Sequence, residues 1–244
     1  MREILARQLA ADYCCSLQDV TDQANHYNRH FLHEDRRRFQ EGKECFLKIC
    51  VVNGKVLFCG EPSILLWCRE NYGTGSGEWF FEAKNLRKLD DRLRCDGYQI
   101  EMVHPFFIPG PSPVRIPEEC RIRWYEREEI ETFRGDARFD EAFAFDPDAP
   151  DVLGAAFLED DRILGMAGAS ADSPYLWQIG INVDPACRGK NIGTLLVSIL
   201  KDEIIKRGKL PYYGTSMSHI ASQRLAIGAG FVPAWAELVT SRIR

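Results

Sequence analysis

The pattern of apolar and polar positions is most regular in the C-terminal half of the chain. Between residues 177 and 183 every second residue is apolar, and the residues between them are polar or small. This period of two predicts a strand with one buried face. From Ile192 to Leu200 apolar residues recur at i, i+3, i+4, i+7 and i+8. This stripe predicts an amphipathic helix over residues 192–207 that ends at Gly208.

Weaker periodicity and turn residues predict the other elements of this half. The predicted strands cover residues 121–124, 152–158, 163–170, 175–183, 210–215 and part of 231–243. The predicted helices cover residues 126–134, 137–145, 192–207 and 220–229. This order of strands and helices is typical of a mixed α/β unit.

The N-terminal half also mixes helices with strands. Asn53-Gly54 separates apolar runs at residues 46–52 and 55–59, which is typical of a β-hairpin. Ser16 and Asp19 form a capping pair that begins a helix. Two further helices are predicted over residues 62–70 and 83–96, and a strand over residues 98–108.

A proline-rich stretch separates the two halves. Residues 109–113 read Pro-Gly-Pro-Ser-Pro, and Pro117 follows. Proline removes backbone donors and restricts φ, so this stretch continues neither a helix nor a central strand. We therefore predict an N-terminal domain over residues 1–108, a linker over 109–117 and a C-terminal domain over 118–244.

Composition narrows the classes of protein to which the chain can belong. It has 244 residues, with 31 Lys and Arg against 36 Asp and Glu, and a formal net charge of −5. Proteins that bind nucleic-acid phosphates are usually basic, so this balance disfavours a nucleic-acid partner. The longest uncharged apolar stretch, residues 225–236, is shorter than the roughly 20 residues that a membrane span needs. We expect no membrane partner either.

The cysteines and the N-terminus indicate a cytoplasmic protein. The nine cysteines show neither a C-x-x-C pair nor zinc-ligand spacing, which predicts reduced thiols and no metal site. The first residues lack the long apolar segment of a secretory signal. His26, His30 and His33 have the i, i+4, i+7 spacing of one helix face. A polar helix face explains this spacing as well as a metal site does.

A turn that combines glycine with cationic residues joins the predicted strand 175–183 to the helix that follows. It reads Arg188-Gly-Lys-Asn-Ile-Gly-Thr194. The start of a helix leaves free N–H groups and carries partial positive charge, and Arg188 and Lys190 add formal charge. Such a turn favours a phosphate or pyrophosphate. Its spacing is neither that of a Walker loop nor that of a dinucleotide fingerprint, and an ordinary glycine-rich turn is the alternative.

The same segment resembles the acyl-CoA motif R/Q-x-x-G-x-G/A of the GNAT superfamily of N-acetyltransferases. Asp184-Pro185 after the strand, Ser222 in the last predicted helix and Gly230-Phe231 after it are similar to the family as well. The order of the predicted elements is also similar. The resemblance covers about half of the chain, and it extends to a subfamily of uncharacterised bacterial members with an extra N-terminal domain.

The resemblance implies a fold, a cosubstrate and a binding site. The implied fold class is α/β (α+β), with a C-terminal mixed sheet flanked by helices and a smaller α/β domain before it. The cosubstrate is acetyl-CoA or a related acyl-CoA, whose pantetheine arm would pair with the strand as an added strand does. The residues implied in binding it are Ile181, Asn182, Val183, Arg188, Gly189, Lys190, Asn191, Ile192, Gly193 and Thr194.

Three positions depart from the family pattern. Asn191 stands where the motif usually has glycine, but asparagine tolerates left-handed backbone, so we expect the turn to form. Ala226 stands where many members have a tyrosine that protonates the CoA sulfur. His219 stands at a position often held by asparagine. The proton donor therefore cannot be transferred from the family.

Five residues are candidates for proton transfer. Asp172 and His219 are candidate bases, and Tyr212, Tyr213 and Ser222 are candidate acids. Each has a structural alternative. Asp172 suits a turn, His219 suits a helix cap or a solvated position, one of the two tyrosines suits the core, and Ser222 can bond within its own helix.

The sequence thus predicts an acyltransferase that moves an acetyl or short acyl group from acyl-CoA to an amine. Direct attack in a ternary complex is the expected mechanism. Residues 121–161 contain 13 acidic and 5 basic side chains, a charge that would attract a cationic small molecule or peptide amine. A catalytically weak or inactive CoA-binding sensor and an interaction protein that assembles through residues 1–108 stay open, as does a homodimer.

Overall fold

The structure, a computed structural model, describes residues 1–37, 45–111 and 121–243. The helices are α1 (Arg2–Asp12), α2 (Leu17–Thr21), α3 (Pro62–Tyr72), α4 (Ala83–Arg94), α5 (Arg127–Ile130), α6 (Ile192–Lys206) and α7 (Ile220–Gly228). The strands are β1 (His26–Arg29), β2 (Leu47–Val52), β3 (Lys55–Gly60), β4 (Tyr98–Pro109), β5 (Ile122–Glu126), β6 (Asp151–Glu159), β7 (Arg162–Ala171), β8 (Leu176–Val183), β9 (Leu210–Gly214) and β10 (Phe231–Arg242). Among the helices of these described ranges, none has the length and apolar character needed to cross a membrane.

The chain divides into two compact units. Unit 1 comprises residues 1–106 and 234–244, and unit 2 comprises residues 107–233. Most of the predicted linker lies outside the described residues, and its first residue, Pro109, is the last residue of β4. The sequence assigned residues 118–244 to one domain, whereas residues 234–244 lie in unit 1. They do so because β10 pairs antiparallel with β2.

Unit 1 is built on the hairpin that its local sequence predicts. β2 and β3 pair antiparallel along their whole length. Asn53 and Gly54 connect them with φ of 50° and 79°, the left-handed backbone that a tight hairpin turn requires. β1 adds to β3 in parallel. The core is formed by apolar side chains of β2, β3, α3, α4 and β10, among them Leu47, Ile49, Phe58, Ile64, Leu89 and Leu238.

One predicted helix of unit 1 is a strand. The segment that holds His26, His30 and His33 contains β1, so the three imidazoles do not share a helix face. Parallel pairing with β3 decides the conformation of this segment, and such long-range pairing leaves no local signal. The predicted helix start is confirmed, because Ser16 Oγ accepts the Asp19 N–H and the Asp19 carboxylate accepts the Ser16 N–H.

Unit 2 is a mixed sheet that packs helical or turn segments on both faces. β5, β6, β7 and β8 pair antiparallel in chain order, and β9 pairs in parallel with β8. One face packs against α6 and α7 through a core that includes Leu153, Leu164, Ile179, Leu196, Leu200 and Phe231. The other face packs against residues 130–143 through side chains that include Ile130, Phe139, Phe143, Ala156 and Met166. The predicted α/β class and the apolar stripe of the long helix are confirmed.

Of the two helices predicted before β6, the first is present over residues 127–133 as two short helical segments, and the second is largely absent. The predicted helix 126–134 is the one-turn helix α5 followed by a 3-10 turn over Glu131–Phe133. The predicted helix 137–145 contains only the 3-10 turn Ala137–Phe139.

Side chains of β6 and β8 accept hydrogen bonds from backbone N–H groups that would have bonded within the second predicted helix. Asn182 Oδ1 accepts the N–H groups of Glu141 and Ala142 at 3.0 and 2.7 Å. Asp151 Oδ2 accepts the Phe145 N–H at 2.8 Å, and Phe145 itself has a φ of 53°. The segment is therefore shaped by the sheet beneath it and not by its own helical propensity.

Candidate active site

The parallel pair β8–β9 separates after three residues. Its pairing ends at Gln178↔Tyr212, whereas the other edge of β8 stays paired with β7 as far as Val183. Within the part of the chain that the structure describes, no strand pairs with residues 179–183 on the edge that faces β9. We call this the open edge of β8. An extended ligand can add itself to such an edge through backbone hydrogen bonds.

Strand geometry determines which backbone groups line the open edge. The Asp184 N–H donates to the carbonyl of Leu164 at 2.9 Å, which continues the β7–β8 ladder. Residues of an antiparallel strand direct their backbone groups alternately to the partner and away from it. Asn182 therefore directs its backbone toward β7. Ile181 and Val183 direct their N–H and C=O groups to the open edge, and Ile179 faces the same side with its N–H still used by the Gln178↔Tyr212 pairing.

The turn after β8 contains two left-handed residues. Asp184 begins it and accepts the Ala186 N–H on Oδ1 at 2.9 Å. Gly189 has a φ of 81° and Asn191 has a φ of 61°. Asn191 thus adopts the backbone expected of a residue that replaces glycine, and it is the N-cap of α6. Two left-handed residues in one short turn redirect the chain from the strand into the helix.

The start of α6 is suited to bind an anion. Asn191 gives the helix no side-chain cap, and the Leu195 N–H is the first to bond within the helix, to Asn191 O at 3.0 Å. The preceding N–H groups of the first turn are left for a ligand. Arg188 and Lys190 are exposed, and a Cβ on Gly189 would meet nothing within 4 Å. The turn therefore offers an open, positively charged approach.

Close packing joins the start of α6 to the end of β8. A Cβ on Gly193 would lie 2.7 Å from Leu225 Cδ1 and 3.3 Å from Val183 Cγ2. The absence of a side chain at Gly193 lets the first turn of α6 approach both α7 and β8. The turn after β8 and the open edge consequently lie side by side.

Tyr213 and Ser222 form a polar pair between β9 and α7. Tyr213 lies on β9, and its Oη is 2.8 Å from Ser222 Oγ on α7. Burial raises the pKa of the Tyr213 phenol, the hydrogen bond to Ser222 opposes this shift, and the charge of Glu141 adds to it. Ala226 lies one helical turn after Ser222 and is fully buried. The Tyr213 phenol thus hydrogen-bonds to α7, the helix on which Ala226 replaces the tyrosine found in many members of the family.

Asp172 belongs to a second polar group, which includes Gln178 and Tyr212 of the last β8–β9 pair. Its carboxylate accepts Ser170 Oγ–H at 2.6 Å and the hydroxyl of Tyr212, and Tyr212 Oη is 3.0 Å from Gln178 Oε1. Asp172 and Tyr212 are both buried. This arrangement satisfies the carboxylate internally. His219 is exposed at the start of α7, for which it provides no side-chain cap.

One group of described residues has the geometry of metal ligands. The ligand atoms of Asp19, Asp22 and His26 lie within 4.8 Å of one another. Lys55 Nζ is 2.9 Å from Asp22 Oδ1, and His26 Nε2 lies at the same distance from that atom. The two carboxylates are thus already paired with nitrogen donors of the chain itself.

The family pattern described as acetyltransferase (GNAT) family matches residues 116–231. This range contains the open edge of β8, the turn and both polar groups. The C-terminal part of the chain is a GNAT acetyltransferase domain. No match was found among the curated proteins.

Several solved structures are similar to parts of the chain at low sequence identity. A GNAT-family acetyltransferase from Colwellia psychrerythraea is 15% identical, over 80% of this chain and 81% of that one, with a TM-score of 0.46. A GCN5-related N-acetyltransferase-like protein from Streptococcus suis is also 15% identical, over 66% and 68%, with a TM-score of 0.47. An aminoglycoside N-acetyltransferase, AAC(6')-Iy in complex with CoA, is 19% identical, over 49% and 93%, with a TM-score of 0.37.

The GNAT domain holds an acidic segment against the face of β8. Besides its two bonds to backbone N–H groups, Asn182 donates from Nδ2 to Asp140 Oδ1 at 3.0 Å. A Cβ on Gly180 would lie 1.9 Å from the Glu141 carbonyl oxygen. A Cβ on Gly168 would lie 1.9 Å from the Ala142 carbonyl oxygen. Only glycine admits this approach, and Asp140 and Glu141 remain exposed.

The sequence did not predict that the Asn182 side chain holds residues 140–142 against β8. It placed Asn182 among the cofactor-binding residues, whereas the structure gives its side chain to residues 140–142. The available signal was Gly180, since a glycine inside a strand often marks the close approach of another backbone. The partner of that glycine lies about 40 residues earlier in the chain, and no local pattern names it.

Proposed function

We propose that the GNAT domain transfers an acetyl or short acyl group from acyl-CoA to an amine acceptor. The observation that carries this proposal is the open edge of β8 leading directly into the uncapped, cationic start of α6. An amide-containing chain with a pyrophosphate at one end matches both parts, because the amides add to the strand and the pyrophosphate meets the helix N-terminus.

The residues of the site divide the binding of acyl-CoA between them. Ile181 and Val183 offer backbone groups to the pantetheine arm on the open edge. Arg188, Lys190 and the N–H groups from Ile192 onward receive the phosphates. The absence of a side chain at Gly189 leaves room for the ligand. The absence of one at Gly193 lets the start of α6 pack closely against α7 and β8.

The chemistry requires polarisation of the thioester and control of two protons. A backbone N–H of Ile181 or Val183 is placed to donate to the thioester oxygen, on which negative charge develops. The amine nitrogen attacks the carbonyl carbon, the carbon–sulfur bond breaks, and the amine loses a proton. The CoA thiolate takes up a proton. A ternary complex supplies much of the rate by holding the reactants together.

Tyr213 is the proton donor that the geometry supports best. It is expected to act in place of the tyrosine absent at Ala226, with its hydroxyl oriented by Ser222. Asp172 and Tyr212 are bonded to each other and to Ser170, which supports a positioning role for that pair. His219 is exposed, and it remains the candidate base that accepts the amine proton through a bridging water.

Replacement of Tyr213 by phenylalanine is expected to lower kcat about tenfold, less than the roughly 100-fold or more that a general acid typically contributes, because a thiolate leaves readily. The KM for acetyl-CoA should stay within about twofold. Because the pKa of Tyr213 is raised, the wild-type phenol stays protonated beyond about pH 10, so kcat should show no loss of this acid between about pH 6 and 9. Steady-state kinetics over that range provide the measurement.

Tyr125→Phe is the matched control for this substitution. Tyr125 is a buried tyrosine of the same unit, and burial raises its pKa as well, but its ring packs against Phe133 in the core on the opposite face of the sheet. Its kcat should equal that of the wild type. Equal kcat values for wild type and Tyr213→Phe would exclude Tyr213 from the chemistry.

The acceptor is proposed to be a cationic amine. Asp140 and Glu141 are exposed beside β8, and the charge of Glu141 reaches the Tyr213 phenol. Carboxylates near the reacting position attract an ammonium group and hold it until it loses its proton. A similar chain, AAC(6')-Iy, is named as an aminoglycoside N-acetyltransferase, which supports a small polyamine acceptor.

The proposed function is tested by calorimetric titration of acetyl-CoA and by an acceptor screen. The screen compares aminoglycosides, linear polyamines, a peptide N-terminus and a neutral alcohol, with CoA release and the mass of the product as readouts. We expect acetyl-CoA binding and amine-dependent CoA release that is largest for polycationic amines. Folded protein that binds no acetyl-CoA would overturn the proposal.

A second function is favoured by one observation, the buried alanine at position 226. A domain that binds acyl-CoA without transferring the acyl group would serve as a CoA sensor. The same screen separates the two functions, because a sensor binds acetyl-CoA and releases no CoA with any acceptor.

A further inference from the structure

A carboxylate lies at the point where β8 ends and the turn toward α6 begins. Asp184 directly follows β8, and its N–H donates to the Leu164 carbonyl of β7 at 2.9 Å. Its side chain caps the 3-10 turn Pro185–Cys187, because Oδ1 accepts the Ala186 N–H at 2.9 Å. The Asp184 carbonyl also accepts the Cys187 N–H at 2.8 Å. Asp184 is therefore bonded to the sheet on one side and to the turn on the other.

An arginine from another turn is bonded to the same carboxylate. Arg162 begins β7 and follows Asp160 and Asp161, two left-handed residues that connect β6 to β7. Its Nη2 donates to Asp184 Oδ2. Because β7 and β8 pair antiparallel, the start of β7 lies at the same end of the sheet as the end of β8. The ion pair thus joins the β6–β7 turn to the β8–α6 turn.

The Asp184 carboxylate is charged at neutral pH, because the Ala186 N–H and the Arg162 guanidinium hold its pKa below the usual value. A negative charge repels a phosphate. Arg188, the first cationic residue of the turn, lies only four residues further along the chain. If the turn binds phosphates, electrostatics alone therefore disfavours an acidic residue at position 184. Its bonds to the backbone of the turn give a physical reason for its presence.

Among the described residues, few contacts fix the turn beyond Cys187. The Arg188 N–H donates to the Pro185 carbonyl at 3.5 Å, which is a long hydrogen bond. Gly189 and Asn191 adopt left-handed backbone, and a Cβ on Gly189 would meet nothing within 4 Å. Glycine also has more conformational freedom to lose than other residues. An anchor at the start of the turn consequently limits the conformations that a ligand would otherwise have to order.

We propose that Asp184, held by Arg162, is a positioning residue for acyl-CoA, which fixes the turn in the conformation that receives the phosphates. This role rests on the proposed function, because it requires the turn to bind acyl-CoA. Asp184 itself touches neither the phosphates nor the thioester. Its removal should weaken acyl-CoA binding, whereas the loss of a negative charge by itself would strengthen binding. The sign of the effect separates positioning from electrostatics.

The test titrates acetyl-CoA by calorimetry into the wild type, Asp184→Ala and Asp184→Asn. Alanine removes both side-chain bonds, and we expect binding about fivefold weaker, the usual effect of losing a capping side chain. Asparagine keeps an oxygen that accepts the Ala186 N–H, so the affinity should return to within about twofold of the wild type. In steady-state kinetics, Asp184→Ala should raise the KM for acetyl-CoA by a larger factor than it lowers kcat.

Glu159→Ala is the matched control, because Glu159 is an exposed carboxylate at the same end of the sheet and the cross-strand neighbour of Arg162. Its affinity for acetyl-CoA should not fall. Amide hydrogen exchange of residues 188–193 gives a second readout that needs no ligand, and it should be faster in Asp184→Ala than in the wild type or Glu159→Ala. In the Asp184→Ala background, Arg162→Ala should have no further effect on affinity, since Arg162 acts through Asp184.

Unchanged or tighter binding by Asp184→Ala would overturn the positioning role, as would equal weakening by Glu159→Ala. Binding by Asp184→Asn as weak as that of Asp184→Ala would contradict the part assigned to the Ala186 bond. A further loss in the double variant would show that Arg162 contacts the ligand directly. A folded wild type that binds no acetyl-CoA would overturn the proposed function itself, and unchanged hydrogen exchange in Asp184→Ala would independently reject the anchor.

Discussion

Replacing Arg188 and Lys190 together by alanine is expected to weaken acetyl-CoA binding at least about tenfold, since a hydrogen bond to a charged group contributes about 1.5–3 kcal/mol. The lower bound applies because both side chains are exposed and solvent screens them. The helix start and the backbone N–H groups remain in the variant, so binding should be reduced and not abolished. Titration calorimetry at two salt concentrations measures the effect, which should shrink as salt rises.

Lys206→Ala is the control for this double variant. Lys206 lies at the other end of α6, and its side chain is 75% exposed. It removes one positive charge from the same helix without touching the turn. Equal weakening by Lys206→Ala would show that net charge, and not the turn, governs binding. An unchanged affinity in the double variant would place the phosphates elsewhere.

Replacing Arg37 by alanine is expected to lower the free energy of unfolding by about 3–5 kcal/mol, the cost of breaking a buried ion pair by removing one partner. The Arg37 side chain is only 12% exposed. Its Nε donates to Asp12 Oδ2 at 2.6 Å, and its Nη2 donates to Glu237 Oε1. The guanidinium also lies 5.5 Å from the ring centroid of Trp235. Alanine leaves two buried carboxylates without their shared cation, and urea unfolding followed by fluorescence measures the loss.

Arg134→Ala is the matched surface control for Arg37→Ala. Arg134 pairs with Glu131 at 2.8 Å, but both side chains are more than half exposed. An exposed pair of this kind contributes about 0–1 kcal/mol. A loss for Arg37→Ala that is no larger than this would mean that Asp12 and Glu237 are stabilised by other donors. Because Glu237 lies on β10, the larger loss would also show that the end of the chain stabilises unit 1.

The sequence predicted elements whose information is local. The Asn53-Gly54 hairpin, the Ser16 capping box and the stripe of α6 each depend on residues within one or two turns of one another. The same holds for the turn between β8 and α6, where glycine, cationic residues and a helix start are contiguous. Asn191 adopts the left-handed backbone that its short polar side chain tolerates. Local backbone preference and periodic burial are sufficient causes for all of these.

Only the tertiary structure decided the features that join distant residues. β1 is a strand because β3 pairs with it, and the last residues lie in unit 1 because β10 pairs with β2. Tyr213 meets Ser222 across two elements, and Asn182 fastens an acidic segment that lies about 40 residues earlier. The open edge of β8 is the clearest case. The alternating pattern determined that β8 is a strand, but its unpaired edge exists because β9 diverges after three residues. A strand's own sequence describes its two faces, whereas its edges are described only by its neighbours.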